Sequence, residues 1–282
     1  LRRLKVIDIV VFHPLLLELM GRPGSDDDDR DNAAVALESY LVRRIVCNGQ
    51  TRGYATLALS LLERVAKLPS HEPAAPAIIK ALASASDKTE EWPDDQALLA
   101  EWLRKKFYGN LRRNRVLLIL RAIEEQYIKD ASGKSEPILT FNFDDLEIEH
   151  IMPQTWETHW PLPADVSRDD RNWALHGIGN LTLVTDSLNK ALSHGPWIAA
   201  GGAPSKRRGI EIHSKLDLNA RLLRENPLAW DENAMKARAA SLFEVARRIW
   251  PAPADLLGGL ASSAGDDDGM APAVSHGAPV SA

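Results

Sequence analysis

The chain has 282 residues, of which 45% are hydrophobic and 26% charged, and its net charge of −5 suits an ordinary globular protein. The longest apolar run, residues 6–19, is interrupted by charged residues and a proline, so it falls short of the roughly 20 residues that span a bilayer. The single cysteine, Cys47, excludes an internal disulfide or a cysteine-based zinc cluster and indicates a reducing, cytoplasmic setting.

The first 130 residues have the apolar periodicity of a helical module. Asn32 is the predicted cap of a helix over 33–47, and a second helix is predicted over 54–68. The sequence Trp-Pro-Asp-Asp at 92–95 predicts the start of a helix over 96–108, and a further helix follows over 113–129. These elements define a first domain, residues 1–130.

The pattern changes near residue 131, where small and polar residues predict a linker. Residues 141–151 and 178–185 alternate apolar and polar side chains and predict two short strands. Asp186 or Ser187 can cap a short helix that runs to Leu192, and an amphipathic helix is predicted over 230–250. We therefore predict a second domain over 131–250 and a disordered tail over 251–282, rich in Ala, Gly, Ser, Pro and Asp. The predicted fold is mostly α.

Three short motifs in the second domain point to chemistry. Glu149 and His150 begin the sequence Glu-His-Ile-Met-Pro at the end of the first strand. Asn180 follows a glycine at the start of the second strand, and Asn189 lies early in the short helix. Each motif alone is usually structural, as turn or capping chemistry. Their order on strand, loop, strand and helix is typical of a ββα-metal nuclease finger.

Residues 141–197 resemble the His-Asn-His (HNH) nuclease domain at the C-terminus of GmrSD-type restriction and phage-defence proteins. The segments 38–44, 92–95 and 230–250 look like the same family, so the resemblance covers roughly residues 1–250. It implies a helical bundle module joined to a small ββα-metal finger at about 141–197, and a DNA endonuclease that nicks one strand per event. It also implies an upstream nucleotide-hydrolysing and sensing domain as a partner, although no complete Gly-x-x-x-x-Gly-Lys-Ser/Thr loop occurs in this sequence.

Site roles follow from the resemblance and from phosphodiester chemistry. His150 is the expected general base, because an unperturbed histidine titrates near neutral pH. Glu149 and Asn189 are the expected ligands of one divalent metal, and their hard oxygen atoms favour Mg²⁺ or Mn²⁺. His194 is an alternative further ligand, or else a loop residue. The resemblance implies that Asn180 holds the loop between the strands and orients His150.

DNA contacts are expected from two basic stretches, although each stretch alone would equally suit a solvated helix face. Residues 104–121 contain seven basic residues and no acidic one. The lysine at 206 resembles a family lysine and is expected to contact phosphate, together with its two basic neighbours. The expected DNA-binding residues are Arg104, Lys105, Lys106, Arg112, Arg113, Arg115, Lys206, Arg207 and Arg208.

Two other histidines, His159 and His176, lie between the strands, where surface placement or a role with water or phosphate is expected. Two alternatives to the nuclease remain open. One is a degenerate finger that binds DNA without cutting it. The other is a helical interaction protein in which His150 shares a structural zinc ion with His159, His176 or His194.

Overall fold

The computed structural model describes residues 2–7, 9–85, 90–132, 142–192 and 194–265, and within them the fold is mostly α. The described residues form a two-stranded sheet and fourteen helices. The strands are β1 Leu146–His150 and β2 Leu181–Thr185. The helices are α1 Arg2–Ile7, α2 His13–Gly21, α3 Asp27–Val46, α4 Tyr54–Lys67, α5 Ala75–Ala83, α6 Asp95–Arg104, α7 Phe107–Asn110, α8 Arg113–Ala131, α9 Arg168–Ala174, α10 Asp186–Leu192, α11 Lys206–His213, α12 Asp217–Glu225, α13 Glu232–Ile249 and α14 Pro253–Gly265.

Helix α3 begins two turns earlier than its predicted start at residue 33. Its cap is Asp26, whose side chain accepts a hydrogen bond from the backbone N–H of Asp29, rather than Asn32. The acidic run at 26–29 therefore belongs to the helix and not to a loop. Its negative charges lie at the helix N-terminus, where they complement the partial positive charge of the helix dipole.

Two buried arginines of α3 donate hydrogen bonds to backbone oxygens of distant segments of the chain. The guanidinium of Arg43 donates to the backbone oxygen of Trp250 at 2.8 Å and to that of Pro93 at 3.0 Å. Arg44 donates to the backbone oxygen of Glu91 at 2.9 Å. Because α6 follows Pro93 and α13 ends just before Trp250, both helices are tied to the N-terminal module.

The sheet is a single antiparallel pair in which Glu149 lies opposite Thr182 and His150 opposite Leu181. Helix α10 begins directly after β2 and packs against both strands, which gives the order strand, loop, strand, helix. Both strands are shorter than predicted: a turn of 3₁₀ helix precedes each one, and residue 141 lies outside the described residues.

Helix α13 connects the helical module to the two-stranded sheet. The guanidinium of Arg238 donates to the backbone oxygens of Gly179 at 2.7 Å and Leu181 at 2.8 Å. The indole of Trp102 in α6 donates to the backbone oxygen of Ala239 at 3.0 Å. The turn before β2 approaches α13 so closely that a Cβ atom at Gly179 would overlap the carbonyl of Met235. The predicted helix 230–250 is thus present and is part of both regions.

The apolar core crosses the predicted domain boundary at residue 131. One cluster joins the N-terminal helices to the inner faces of β1 and β2 and to α13, and a second cluster around Trp156, Trp160 and Trp197 supports the loop between the strands. Within the predicted tail, residues 253–265 are helical instead of disordered, because Leu256, Leu257 and Leu260 pack against the main core. Residues 266–282 lie outside the described residues. No helix in the described part is long and apolar enough to cross a membrane.

Candidate active site

Asn180 is fully buried and joins both ends of the loop between the strands. Its Nδ2 donates to the backbone oxygens of Met152 at 2.9 Å and Leu175 at 3.0 Å. Its Oδ1 accepts from the backbone N–H of Met152 at 2.9 Å and from the indole of Trp230 at 3.0 Å. Both the Nδ2 and the Oδ1 of this side chain are therefore hydrogen-bonded, and together they fix the backbone that follows His150.

His150 closes β1 on the face that carries Leu146 and Ile148, and it is 7% exposed. Its Nε2 lies 3.4 Å from Nδ1 of His176. The ring of Tyr108, from the helical module, meets His150 edge-on at 4.6 Å between centroids. The imidazole is therefore enclosed by the loop between the strands and by the segment that precedes α8.

The surroundings keep the His150 imidazole uncharged. Burial, and then electrostatic interactions with His176 and Lys206, lower the pKa of His150 to about 3. The sequence-based choice of this residue as a base rested on an ordinary pKa near neutrality. The site instead favours a neutral ring over the physiological pH range.

Lys206 differs from the expectation that it contacts phosphate. It is 1% exposed, and its ammonium donates to the carboxylate of Glu149 and, at 2.7 Å, to the backbone oxygen of His150. Burial lowers the pKa of Lys206, and the charge of Glu149 opposes that shift. Because α11 brings this lysine to the end of β1, the side chain supports the Glu149–His150 segment from inside the protein.

Glu149 shares its face of β1 with Glu147, since alternate strand residues point the same way. The amide of Asn189 lies 3.3 Å from the carboxylate of Glu147, so α10 brings its asparagine to Glu147 rather than to Glu149. The described residues include no group of three His, Cys, Asp or Glu around one point. The donors on this face are nevertheless two carboxylates and an amide, a set that fits a hard divalent cation.

His194 and His159 are both exposed. The imidazole of His194 is exposed and lies 2.9 Å from the hydroxyl of Thr155. His159 is exposed in the loop between the strands. Of the histidines that a shared zinc ion would need, the structure brings His176 beside His150.

The expected DNA-binding residues fall into two groups. Lys105 is buried, and its ammonium donates to the side chain of Asn48, so it faces the protein interior. Lys106 lies on the surface with its ammonium 4.3 Å from the ring centre of Trp173, which is 48% exposed. The remaining residues are exposed or half-buried, namely Arg104, Arg112, Arg113, Arg115, Arg207 and Arg208. Arg113 lies 3.5 Å from Glu147 and so borders the acidic face of β1.

Two residues of the site have more prominent positions than the sequence analysis gave them. Glu147 could have been found from the strand period, because it stands two residues before Glu149. His176 had no comparable local signal. Its approach to His150 depends on how the loop folds around Asn180 and on Tyr108 from another part of the chain.

One protein-family model matches the chain. It is the model of the C-terminal domain of GmrSD restriction endonucleases, and it covers residues 92–245, more than half of the chain. The match begins at Trp92 and contains α6 to most of α13, so the resembling segment at 38–44 lies outside it. No curated protein and no solved structure matches the chain.

Proposed function

Because the chain belongs to the family of C-terminal domains of GmrSD restriction endonucleases, we propose that it is an HNH-type endonuclease that hydrolyses DNA phosphodiester bonds. The family supports a nuclease of restriction type. The finer assignment, a ββα-metal finger formed by β1, β2 and α10, rests on the site. The observation that carries it is the Glu149–His150 pair at the end of β1, with the following backbone held by the buried Asn180.

His150 is the proposed general base. A neutral imidazole can take a proton from the attacking water, and its burial beside Tyr108 and His176 restricts the ring to one orientation. Asn180 acts on the reaction through the backbone: it fixes Met152 and thereby the chain direction after His150. This arrangement provides a positioned base without direct contact between Asn180 and the substrate.

A single Mg²⁺ or Mn²⁺ ion is the proposed cofactor, held by oxygen atoms of Glu149 and Asn189 and, from the structure, of Glu147. When bound there, such an ion supplies a positive charge for the pentacovalent phosphate and the leaving oxygen. The residues themselves contribute a focused negative potential, which Lys206 partly neutralises at Glu149. Glu149 must therefore exchange this ion pair for the metal or share its second oxygen with it.

The proposed DNA path runs over the surface next to His150. Arg104 is exposed, Lys106 covers one face of the exposed Trp173, and Tyr108 is 38% exposed beside the two histidines. Cations and aromatic rings of this kind bind phosphates and stack on bases without reading sequence. We therefore expect strong salt dependence, little sequence preference and nicking, since the described residues contain one finger. Licensing of cleavage by an upstream nucleotide-hydrolysing domain, in phage defence, is the corresponding proposal for the biological setting.

The test is cleavage of supercoiled plasmid by the wild type and by His150→Ala, with Mg²⁺ and with Mn²⁺. We expect open-circle DNA from the wild type and none from the variant. Equal cleavage by both proteins would refute His150 as the base. A gel shift without cleavage by either protein under any divalent metal would instead favour the DNA-binding module, and stoichiometric zinc in the purified protein would favour the structural zinc site.

A further inference from the structure

The side chain of His176 contacts the Nε2 atom of the His150 imidazole. Its Nδ1 is 3.4 Å from Nε2 of His150, and one hydrogen atom can be shared between these two nitrogens. A neutral imidazole carries its hydrogen on one ring nitrogen, and the partner of that nitrogen decides which tautomer is present. The contact therefore determines which nitrogen of His150 is left to act on a water molecule.

We propose that His176 is the positioning residue of the site: its Nδ1 accepts a hydrogen bond from Nε2–H of His150 and leaves the lone pair of His150 on Nδ1. This inference rests on the proposed function, in which His150 is the base. In the opposite arrangement His176 would donate to Nε2, the hydrogen of His150 would lie on Nδ1, and no free lone pair would remain. Only the first arrangement is compatible with proton abstraction.

The loop holds His176 firmly enough for this purpose. The ring of Tyr108 stacks on the His176 imidazole, with 14° between the planes, and the backbone N–H of Tyr108 donates to the backbone oxygen of His176 at 3.1 Å. The backbone N–H of His176 donates to the oxygen of Trp173 at 3.3 Å. The segment 106–108 of the helical module is therefore part of the nuclease site, since it fixes the residue that orients the base.

His176 is also prepared to accept a hydrogen bond. Burial, and then the positive charge of Lys106, lower the pKa of His176. The imidazole thus stays neutral near neutral pH and keeps one nitrogen with a lone pair. The stacking and the backbone contacts place that ring with Nδ1 toward His150.

The variants His176→Ala and His176→Asn of the whole chain test the proposal, with His71→Ala as a matched control at an exposed histidine of the helical module. The Oδ1 of asparagine can accept at the place of the lost Nδ1. We expect His176→Ala to lower kcat by at least about 10-fold with little change in KM, and His176→Asn to recover most of the loss. An unchanged kcat in His176→Ala, or no recovery in His176→Asn, would overturn the proposal.

Proton–nitrogen correlation NMR of the metal-free protein gives a second readout that needs no turnover. We expect His150 to carry its hydrogen on Nε2 in the wild type and in His176→Asn, and to become a mixture of tautomers in His176→Ala. A wild-type His150 with its hydrogen on Nδ1 would overturn the inference. If His150→Ala cleaves as well as the wild type, the proposed function fails instead, and the NMR result still decides the tautomer.

Discussion

The indole nitrogen of Trp230 donates to the side-chain oxygen of Asn180 at 3.0 Å, so the residue that fixes the loop after His150 is itself held by the segment leading into α13. The same oxygen accepts from the backbone of Met152. A contact between residues fifty positions apart thus completes the hydrogen bonding of a fully buried amide. Helix α13 is consequently connected to the geometry of the loop.

Asn180→Ala should destabilise the protein strongly, because it leaves buried donors and acceptors of Met152, Leu175 and Trp230 without partners. Each such group costs about 1–3 kcal/mol, so we expect a loss of at least about 3 kcal/mol in the free energy of unfolding, measured with urea. Trp230→Phe removes only one of these hydrogen bonds and should cost about 1 kcal/mol. A smaller loss in Asn180→Ala than in Trp230→Phe would contradict this account.

Lys206→Met should also destabilise the protein, since it leaves the carboxylate of Glu149 at a mostly buried site without its cation. Removing one partner of a buried ion pair typically costs about 3–5 kcal/mol. The control is Arg207→Met, which breaks the exposed pair with Glu211 and should cost less than about 1 kcal/mol. Adding Glu149→Gln to Lys206→Met should recover part of the loss. If the two single variants unfold alike, the proposed support of β1 by Lys206 is wrong.

Glu124 should make stability pH-dependent. Burial raises the pKa of this carboxyl to about 7 from its ordinary 4.5, although the backbone N–H groups of Leu218 and Asp217 favour its charged form. A raised pKa means that the folded state binds the proton more tightly. The resulting stabilisation is complete below the unfolded pKa and is lost as the pH rises through about 7.

We therefore expect the wild type to lose about 3 kcal/mol more unfolding free energy than Glu124→Gln between about pH 5 and pH 8. Urea titrations of both proteins across this range provide the measurement. The comparison cancels other titrating groups, because they are common to both proteins. Parallel pH curves would show that Glu124 does not titrate in this range.

Glu147→Gln should weaken the binding of Mn²⁺, because Glu147 shares a strand face with Glu149 and contacts Asn189. We expect at least about a 10-fold loss of affinity in calorimetric titration and a matching rise in the Mn²⁺ needed for cleavage. Glu157→Gln makes the same chemical change at an exposed position in the loop and should leave both values unchanged. EDTA should abolish cleavage, and added Mg²⁺ or Mn²⁺ should restore it.

Lys106→Glu should weaken DNA binding at every sequence tested, because its ammonium lies over Trp173 on the surface beside His150. Loss of one phosphate contact lowers the slope of log affinity against log salt by about 1. Fluorescence anisotropy at several salt concentrations measures that slope. The variant Lys80→Glu, exposed on α5, carries the same change in net charge, and an equal effect there would mean that the slope reports overall charge alone.

Local pattern predicted the parts of this molecule that depend on local chemistry. Strand alternation located β1 and β2 to within a few residues. The predicted helix after β2 is present, but Asp186 is its first residue and the hydroxyl of Thr185, rather than Asp186 or Ser187, accepts from the backbone N–H of Leu188. Helices α11 and α12 were not predicted, although both are amphipathic, because their apolar positions are separated by charged residues. The burial of Lys206 was not accessible from local pattern either, since a lysine in a basic stretch is usually exposed.

The arrangement around His150 shows the same limit. The positions of Asn180 and Asn189 in the strand and helix order were predictable, but their partners were not. Trp230, Tyr108 and Lys206 approach from segments far away in the sequence, and their positions are set by packing across the whole chain. Only the alternation that pairs Glu147 with Glu149 was a local signal that the sequence analysis left unused.

Helix α13 is hydrogen-bonded to α6 through Trp102 and to the start of β2 through Arg238. Helix α13 therefore cannot slide against α6 or β2 without breaking buried hydrogen bonds. A displacement of α6 would therefore move α13 and, with it, the backbone of the turn before β2. The backbone at the start of β2 therefore keeps a fixed orientation relative to the helical module.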